Sequence, residues 1–501
     1  MMGNEVLYLI ILALYIASMV AIALLSKRKS KAMGSFYLAD RKVGAWMSAF
    51  AYGTTYFSSV IIIGYAGKLG ANFGLAAIWI GVGNAILGTL IPWLLFAKKT
   101  KLYTTKNNVE TMPAFFEKRF DSKYIKLVSA IIVAIFLIPY SASVYQGLGS
   151  LFSKVFAISP DKVETVFAIC VFALAGLTAL YVFFGGYFGT VLTNFVQAII
   201  MLIGVALMVF FVFNDSAVDG ISNAVNGWIN LDKSIFTSNK EATFNLVVLV
   251  LLTSIGPWAL PQVVHKFYAV KDDSAIKKGT LISTIFCLIV GVGAYLVGST
   301  GMLFGDTIGF GSLVSTGNFD SIVPAIIVKA LPPIVIAITI VLILSASMST
   351  LSSLALSCSV SVSGDIYKGY IKKDAESKKT NILTKIICLV FILISALIAV
   401  FKPAGIVEMM SFSWGTIAGC FLGPFALGIL WKKTNKYGAW TSIIGTLVIT
   451  LGAIIVFGLQ TAISQSALIG VICMAYSVVS TFVVSLITAK KTEGKLETEN
   501  E

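Results

Sequence analysis

Charge is scarce in this chain. Only 12% of its 501 residues are Asp, Glu, Lys or Arg and 57% are apolar, about half the charged fraction of a soluble domain. A mean hydropathy of +0.92 then excludes an ordinary soluble fold and leaves an integral membrane protein, with the lipid bilayer as its first partner. Acids are the scarcest charge inside the apolar segments. Only Glu164 and Glu408 fall there, both near segment ends, and the single histidine, His265, stands at the edge of another. A proton relay needs a titratable group buried in the membrane, so the chain offers little to one; Glu408 is expected to reach solvent. The six cysteines, Cys170, Cys287, Cys358, Cys388, Cys420 and Cys473, have no paired metal-type spacing and read as small packing residues. No GxxxxGK[ST] loop is present, and residues 64–68 (GYAGK) have the wrong spacing, which argues against direct ATP drive. No cluster of acid, base and nucleophile suggests an enzyme.

The net charge of +14 would suit nucleic acid, but its placement suits a membrane instead. With the amino terminus outside, thirty of the 37 Lys and Arg fall in inside loops, the asymmetry that orients membrane proteins. The carboxyl terminus is then cytoplasmic and no nucleic-acid partner is implied. About thirteen segments of bilayer-spanning length can be drawn between residues 6 and 489. They form one polytopic domain, 1–489, followed by a polar tail, 490–501. The first segment lacks a basic flank and a cleavage site and reads as a retained span.

Two of these segments are interrupted. The second carries AYGTTYFSS at 51–59 and the seventh carries TSIGPW at 253–258 with Pro261 behind it. Hydrocarbon cannot satisfy free backbone groups, so such breaks survive only around a cavity. Five spans run from the second to the sixth and five from the seventh to the eleventh, each set opening with a broken helix. That is the sign of an inverted five-plus-five repeat, with a binding site between the breaks. A third polar run, SASMSTLSS at 345–353, lies in the ninth segment. Ala346, Ser349, Thr350 and Ser353 fall at helical spacings of three and four, on one face. Hydroxyls there and carbonyls freed by the second span's break supply neutral oxygens, the ligands hard cations take. Sodium fits such a cage.

The motifs resemble those of the sodium:solute symporter family across nearly the whole chain. The resemblance is carried by FYLADR at 36–41 with Gly44 and the break behind it, by MSTLS at 348–352 with GDIYK at 364–368, and by SFSW at 411–414 through Gly423, Pro424 and Trp431 to NKYG at 435–438. It implies an all-α membrane protein of LeuT type, with sodium-driven alternating access. It also implies a principal sodium site made by the backbone carbonyls of Thr54, Phe57 and Ala346 and the hydroxyls of Ser349 and Thr350. A second sodium, held in some members by hydroxyls matching Ser352 and Ser353 and by an aspartate, meets Asn194 here, so one sodium per cycle is expected. In the family's proline carriers an aspartate stands at the position of Tyr56 and aromatic contacts at those of Thr253 and Pro257, so proline is not implied.

A small organic solute is expected between the breaks, at Tyr56, Ser58 and Ser59 on one side and Ser254, Gly256 and Trp258 on the other. Half-helix amino ends there favour a carboxylate or an amino acid. Trp414 reads as structural. The reading is a sodium-coupled symporter of the plasma membrane. A proton-coupled carrier would respond to pH without sodium; a sodium-leaking channel or a solute sensor on the same scaffold would pass current without solute or need an output domain.

Overall fold

The computed structural model describes residues 2–26, 38, 41–156, 158–159, 161–236, 239–374 and 376–489. Residues 36, 37, 39 and 40 of the FYLADR motif and the tail from 490 onward lie outside them. The described chain is helical throughout, and its only strand-like feature is an isolated parallel bridge between Val43 and Val270. That bridge joins the entry to the second span to the exit of the seventh. Arg41, at φ 56°, fastens the same corner. Its guanidinium donates to the carbonyls of Tyr268 at 3.1 Å, Thr104 at 3.1 Å and Val109 at 2.7 Å.

Among the described residues, eleven helical runs are long and apolar enough to cross a membrane. Two of them are too long for one crossing: Val60–Lys106 has 47 residues and Val163–Phe213 has 51, or roughly 70 Å or more at 1.5 Å per residue against a core of about 30 Å. Each turns back at a glycine with positive φ, Gly74 (φ 59°, ψ −135°) and Gly186 (φ 54°, ψ −157°). A side chain is strained in that conformation, so the glycines are what the reversals require. Each of these two runs is thus long enough to hold two crossings.

The runs are unequally buried. In the ninth span, Pro333–Ile371, 89% of the most apolar window is buried, and in the eleventh, Ile406–Leu430, 83%; in Asn4–Ser26 and Lys436–Phe457 the share is 22%. The ninth and eleventh spans are therefore the axis of the bundle, and the first and twelfth face lipid. Small residues let the inner helices meet. A Cβ on Gly415 would lie 2.5 Å from the Cα of Gly470, so the eleventh and thirteenth spans touch backbone to backbone, the way helices associate in lipid. Ahead of the ninth span, the short helix Ile322–Ala330 ends at Leu331, and Pro332 and Pro333 start a new one. The proline pair breaks the helix where its rings and missing N–H require.

Both expected breaks are present. The second span runs as Ala45–Tyr56, opens at Phe57 (φ −96°, ψ 109°) and Ser58, and resumes at Val60–Tyr65. The seventh runs as Lys240–Ile255, tightens into the 3₁₀ turn Gly256–Ala259, is extended at Leu260 and resumes as Pro261–Ala269. Pro261 opens that second half at the one helical position where a missing N–H costs nothing.

Candidate functional site

At the opening in the second span, helical hydrogen bonding changes partners. The amide of Val60 turns to the side chain of Ser58 at 3.2 Å. The amides of Ile61 and Ile62 both go to the carbonyl of Ser58, at 3.1 and 3.2 Å. The carbonyls of Tyr56 and Phe57 thus lose the donors that a continuous helix would supply.

The carbonyl of Thr54 is claimed from across the bundle. It accepts the hydroxyls of Ser349 at 2.9 Å and Thr350 at 3.2 Å, both on the ninth span, and the Ser349 hydroxyl also lies 3.0 Å from the carbonyl of Ala346. Thr54, Phe57, Ala346, Ser349 and Thr350 are all fully buried. Four of their oxygens are gathered here, and the break leaves Phe57 with a free carbonyl nearby in sequence. A hydroxyl carries two lone pairs besides its proton, so rotation of the two protons away from Thr54 turns this bridge into a neutral oxygen set. Such a set suits a hard monovalent cation and has no affinity to offer an anion.

Ser352 and Ser353, one turn on, both donate to the carbonyl of Ser349, at 2.9 and 3.0 Å. Ser353 also meets the Thr55 hydroxyl at 3.0 Å. Ser349, Thr350 and Ser353 therefore do share the face turned toward the second span. Asn194 lies on the sixth span, which meets the ninth where Gly204 faces Leu342; it is fully buried, and among the described residues neither its Oδ1 nor its Nδ2 has a partner.

The space between the breaks is lined differently. Tyr56 donates its hydroxyl to the carbonyl of Thr253 on the seventh span and lays its ring on Trp414, centroids 6.0 Å apart and planes at 26°. Gly88 makes room for it, since a Cβ there would lie 2.2 Å from the Tyr56 oxygen. Ser58 is occupied by the Val60 amide, and Ser59 donates to the carbonyl of Val144 at 2.9 Å. Across from them, Thr253 and Ser254 both donate to Oδ1 of Asn84, at 2.9 and 3.1 Å. Gly256 faces Trp414, with 4.0 Å to spare for a Cβ. Trp258 is half-buried, donates to the carbonyl of Leu87 at 2.8 Å and packs on Phe96.

Three residues here were not among the expected solute contacts. Trp414 stacks on Tyr56 and meets Tyr140 edge-on at 5.5 Å, yet among the described residues its indole N–H has no partner. The Tyr140 hydroxyl comes close to Ser58 and Thr350 and meets neither in hydrogen-bond geometry. Asn84 keeps a free Nδ2. A lone Asn in an apolar segment is the kind of signal that marks function inside a membrane, and it was available for Asn84; the aromatic pair gave none.

The outer and inner flanks carry charge. Glu408 does not reach into solvent: it pairs with Lys68, and their side chains are 19% and 25% exposed. Lys68 also sits over the ring of Phe319 at 5.5 Å, and Asp320 follows on the next residue. Burial, helped by the charge of Glu408, pushes the Asp320 carboxyl up to about 6, against the pull of the Ile406 backbone and Lys68. At the other end, a cavity of about 470 Å³, measured out to its mouth, is lined by Glu110, Tyr187, Gln262, His265, Lys266 and Ser353 among others. Burial raises the Glu110 carboxyl above its ordinary value, with Arg41 opposing.

Known proteins share this architecture. An osmoregulated proline transporter, OpuE, of Bacillus subtilis is 25% identical over 96% of this chain and 93% of its own. From Haemophilus influenzae, a sodium/proline symporter is 28% identical over 90% of this chain and 87% of its own, and a sodium/pantothenate symporter 27% over 88% of each. A sodium-coupled sialic acid symporter solved in a substrate-bound outward-open state superposes with a TM-score of 0.75 at 18% identity, over 96% of this chain and 98% of that one. This likeness identifies the LeuT-type inverted-repeat fold. The pattern of the sodium:solute symporter family matches residues 36–446, and the chain belongs to that family: it is a multi-pass membrane carrier that couples solute movement to sodium, and not an enzyme.

Proposed function

We propose that this carrier moves sodium and a small carboxylate-bearing solute, of the amino-acid or monocarboxylate class, inward by alternating access. In this reading the amino terminus lies outside and the carboxyl terminus in the cytoplasm. Sodium binds the carbonyls of Thr54, Phe57 and Ala346 and the hydroxyls of Ser349 and Thr350. The observation that carries the assignment is the double donation of Ser349 and Thr350 to the carbonyl of Thr54, which joins the broken second span to the ninth through oxygen alone. With those two protons turned away, a cation held by the same oxygens ties the two helices together, so sodium favours one arrangement of them. Coupling requires such a difference, because a ligand equal in both states shifts nothing.

The solute lies between the breaks, against Tyr56, Ser58, Ser59, Ser254, Gly256 and Trp258, with Trp414, Tyr140 and Asn84 added. The unpartnered atoms of the last three, an indole N–H, a phenol and an amide NH₂, are all donors. Each costs about 1–3 kcal/mol while buried and unmet, and a carboxylate supplies the acceptors they lack. The amino end of the half-helix Pro261–Ala269 favours the same negative charge.

The test is uptake by proteoliposomes from a panel of amino acids, monocarboxylates, pantothenate and sialic acid, with sodium or choline outside. One carboxylate should be taken up only with sodium, and Ser349→Ala with Thr350→Ala should abolish the stimulation. Sodium dependence that survives in the double variant contradicts the site.

A further inference from the structure

The space between the breaks is poor in acceptors. Among the described residues, the hydrogen-bond partners of Tyr56, Ser58, Ser59, Thr253, Ser254 and Trp258 are backbone groups, Asn84 or one another, and all are neutral. The two acids that the apolar segments carry each meet a lysine elsewhere, Glu408 with Lys68 and Glu164 with Lys402. Glu110 lines the cavity at the other end of the bundle. Lys266, buried on the inner half of the seventh span, turns to Ser353 and that same cavity, and brings no negative charge either. Open carbonyls are as scarce. Pro257 offers no N–H to the carbonyl of Thr253, nor Pro261 to that of Pro257, but the Tyr56 hydroxyl takes the first and the Leu260 amide the second, at 3.3 Å. In the second span the Phe57 carbonyl belongs to the sodium reading, which leaves that of Tyr56. Donors are what remains unmet: the indole N–H of Trp414 and Nδ2 of Asn84, with the phenols of Tyr140 and Tyr295. Tyr295, fully buried on the eighth span, comes close to Asn84.

We infer that the solute is a monocarboxylate without an amine, whose single negative charge is balanced by the sodium ion itself. The inference rests on the sodium and carboxylate reading above and narrows it. An ammonium only donates, while an indole and an amide NH₂ offer it nothing to donate to. In this space it would find the carbonyl of Tyr56, the phenols and no carboxylate, and a charge taken out of water is costly unless it is paired. A carboxylate only accepts, and a hydroxyl or keto oxygen beside it meets the donors that are left. The proposed sodium ligands are carbonyls and hydroxyls, which carry no charge of their own. Sodium and a monoanion bound together therefore leave the two breaks neutral, whereas sodium and a zwitterion leave a positive charge unbalanced. For the same reason the carboxylate binds well only when sodium is present, because alone it is the unpaired charge.

The experiment is sodium-driven uptake in proteoliposomes of matched pairs that share a carbon skeleton and differ in the amine: lactate against alanine, 2-hydroxyisocaproate against leucine, phenyllactate against phenylalanine. In at least one pair the hydroxy acid should be carried with sodium, at a KM about a hundredfold below that of its amino acid, the effect of one buried unpaired charge. An amino acid carried as well as its hydroxy acid, or better, overturns the inference. Failure of the underlying reading looks different: no member of any pair is then carried, or uptake proceeds equally in choline, and the inference falls with it. Asn84→Asp keeps an oxygen for Thr253 and Ser254 and puts a carboxylate oxygen where the NH₂ stands. It should erase the preference, raising KM for the hydroxy acid and lowering it for the amino acid by about tenfold each. A preference unchanged in that variant contradicts an amine excluded by charge. Should Asn84→Asp not fold, the pairs in the unaltered protein still decide.

Discussion

The two broken helices both open to an extended residue and differ in what surrounds them. The second span opens to extended geometry at Phe57, and what reaches its Thr54 carbonyl across the bundle is hydroxyl. The seventh tightens into a 3₁₀ turn and opens at Leu260, and its neighbours are an amide, an indole and a phenol: Asn84 beside Thr253 and Ser254, Trp414 across from Gly256, Tyr56 on the Thr253 carbonyl. Oxygen alone selects a hard cation. Mixed donors on aromatic walls select an organic group. In the proposed reading the repeat supplies two openings, and the side chains divide the work between them.

If the work is divided this way, changes at one break should leave the other's ligand alone. The largest effect is expected from Asn84→Ala. It removes the acceptor shared by Thr253 and Ser254 and the free Nδ2, which should raise KM for the carried solute about a hundredfold, or about 2.7 kcal/mol, while the half-saturating sodium concentration stays put. A parallel rise in both would merge the two sites into one. Tyr56→Phe is the finer probe, since it keeps the ring on Trp414 and loses only the bond to the Thr253 carbonyl. A rise in KM of about tenfold is expected, in keeping with about 1–1.5 kcal/mol for one hydrogen bond, and no change in KM would remove Tyr56 from the solute side.

The smallest effect concerns the outer flank. In this arrangement the Asp320 carboxyl titrates near 6, above its ordinary 3.8, so it binds a proton more tightly here than when solvated. Protonation therefore favours this arrangement. The gain appears as pH falls through about 6, is complete below about 3.8, and is lost as pH rises through 6. Sodium-driven uptake should change a few-fold between pH 7.5 and pH 5, with about tenfold as the ceiling set by the shift, and Asp320→Asn should flatten that profile. An unchanged profile in the variant assigns the pH response elsewhere.

Much of this was legible in the sequence because lipid forbids so much. A polar run such as AYGTTYFSS has few places to sit in a membrane, and the two breaks, the pairing of five spans with five, and the hydroxyl face at 346, 349, 350 and 353 all followed from that constraint. Ordered motifs supplied the family and the sodium ligands proposed here. What stayed hidden depends on contacts far apart in the chain. Glu408 read as solvent-facing because its partner Lys68 is 340 residues away. Lys266 read as one more inside-loop lysine, because nothing in the local pattern tells a buried ammonium from a hydrated one. The stacking of Trp414 on Tyr56 is likewise a tertiary event that spacing alone does not report.

The most direct test of the sodium site is the melting temperature of the purified protein in sodium and in choline, for the unaltered chain and for Ser349→Ala with Thr350→Ala. Binding to the folded state alone stabilises by RT ln(1 + [L]/Kd), about 2.7 kcal/mol at a hundredfold excess over Kd. The account predicts that sodium raises the melting temperature of the unaltered protein by several degrees and leaves the double variant where choline leaves it. Equal stabilisation of both by sodium would contradict a cation held between Thr54 and the hydroxyls of Ser349 and Thr350.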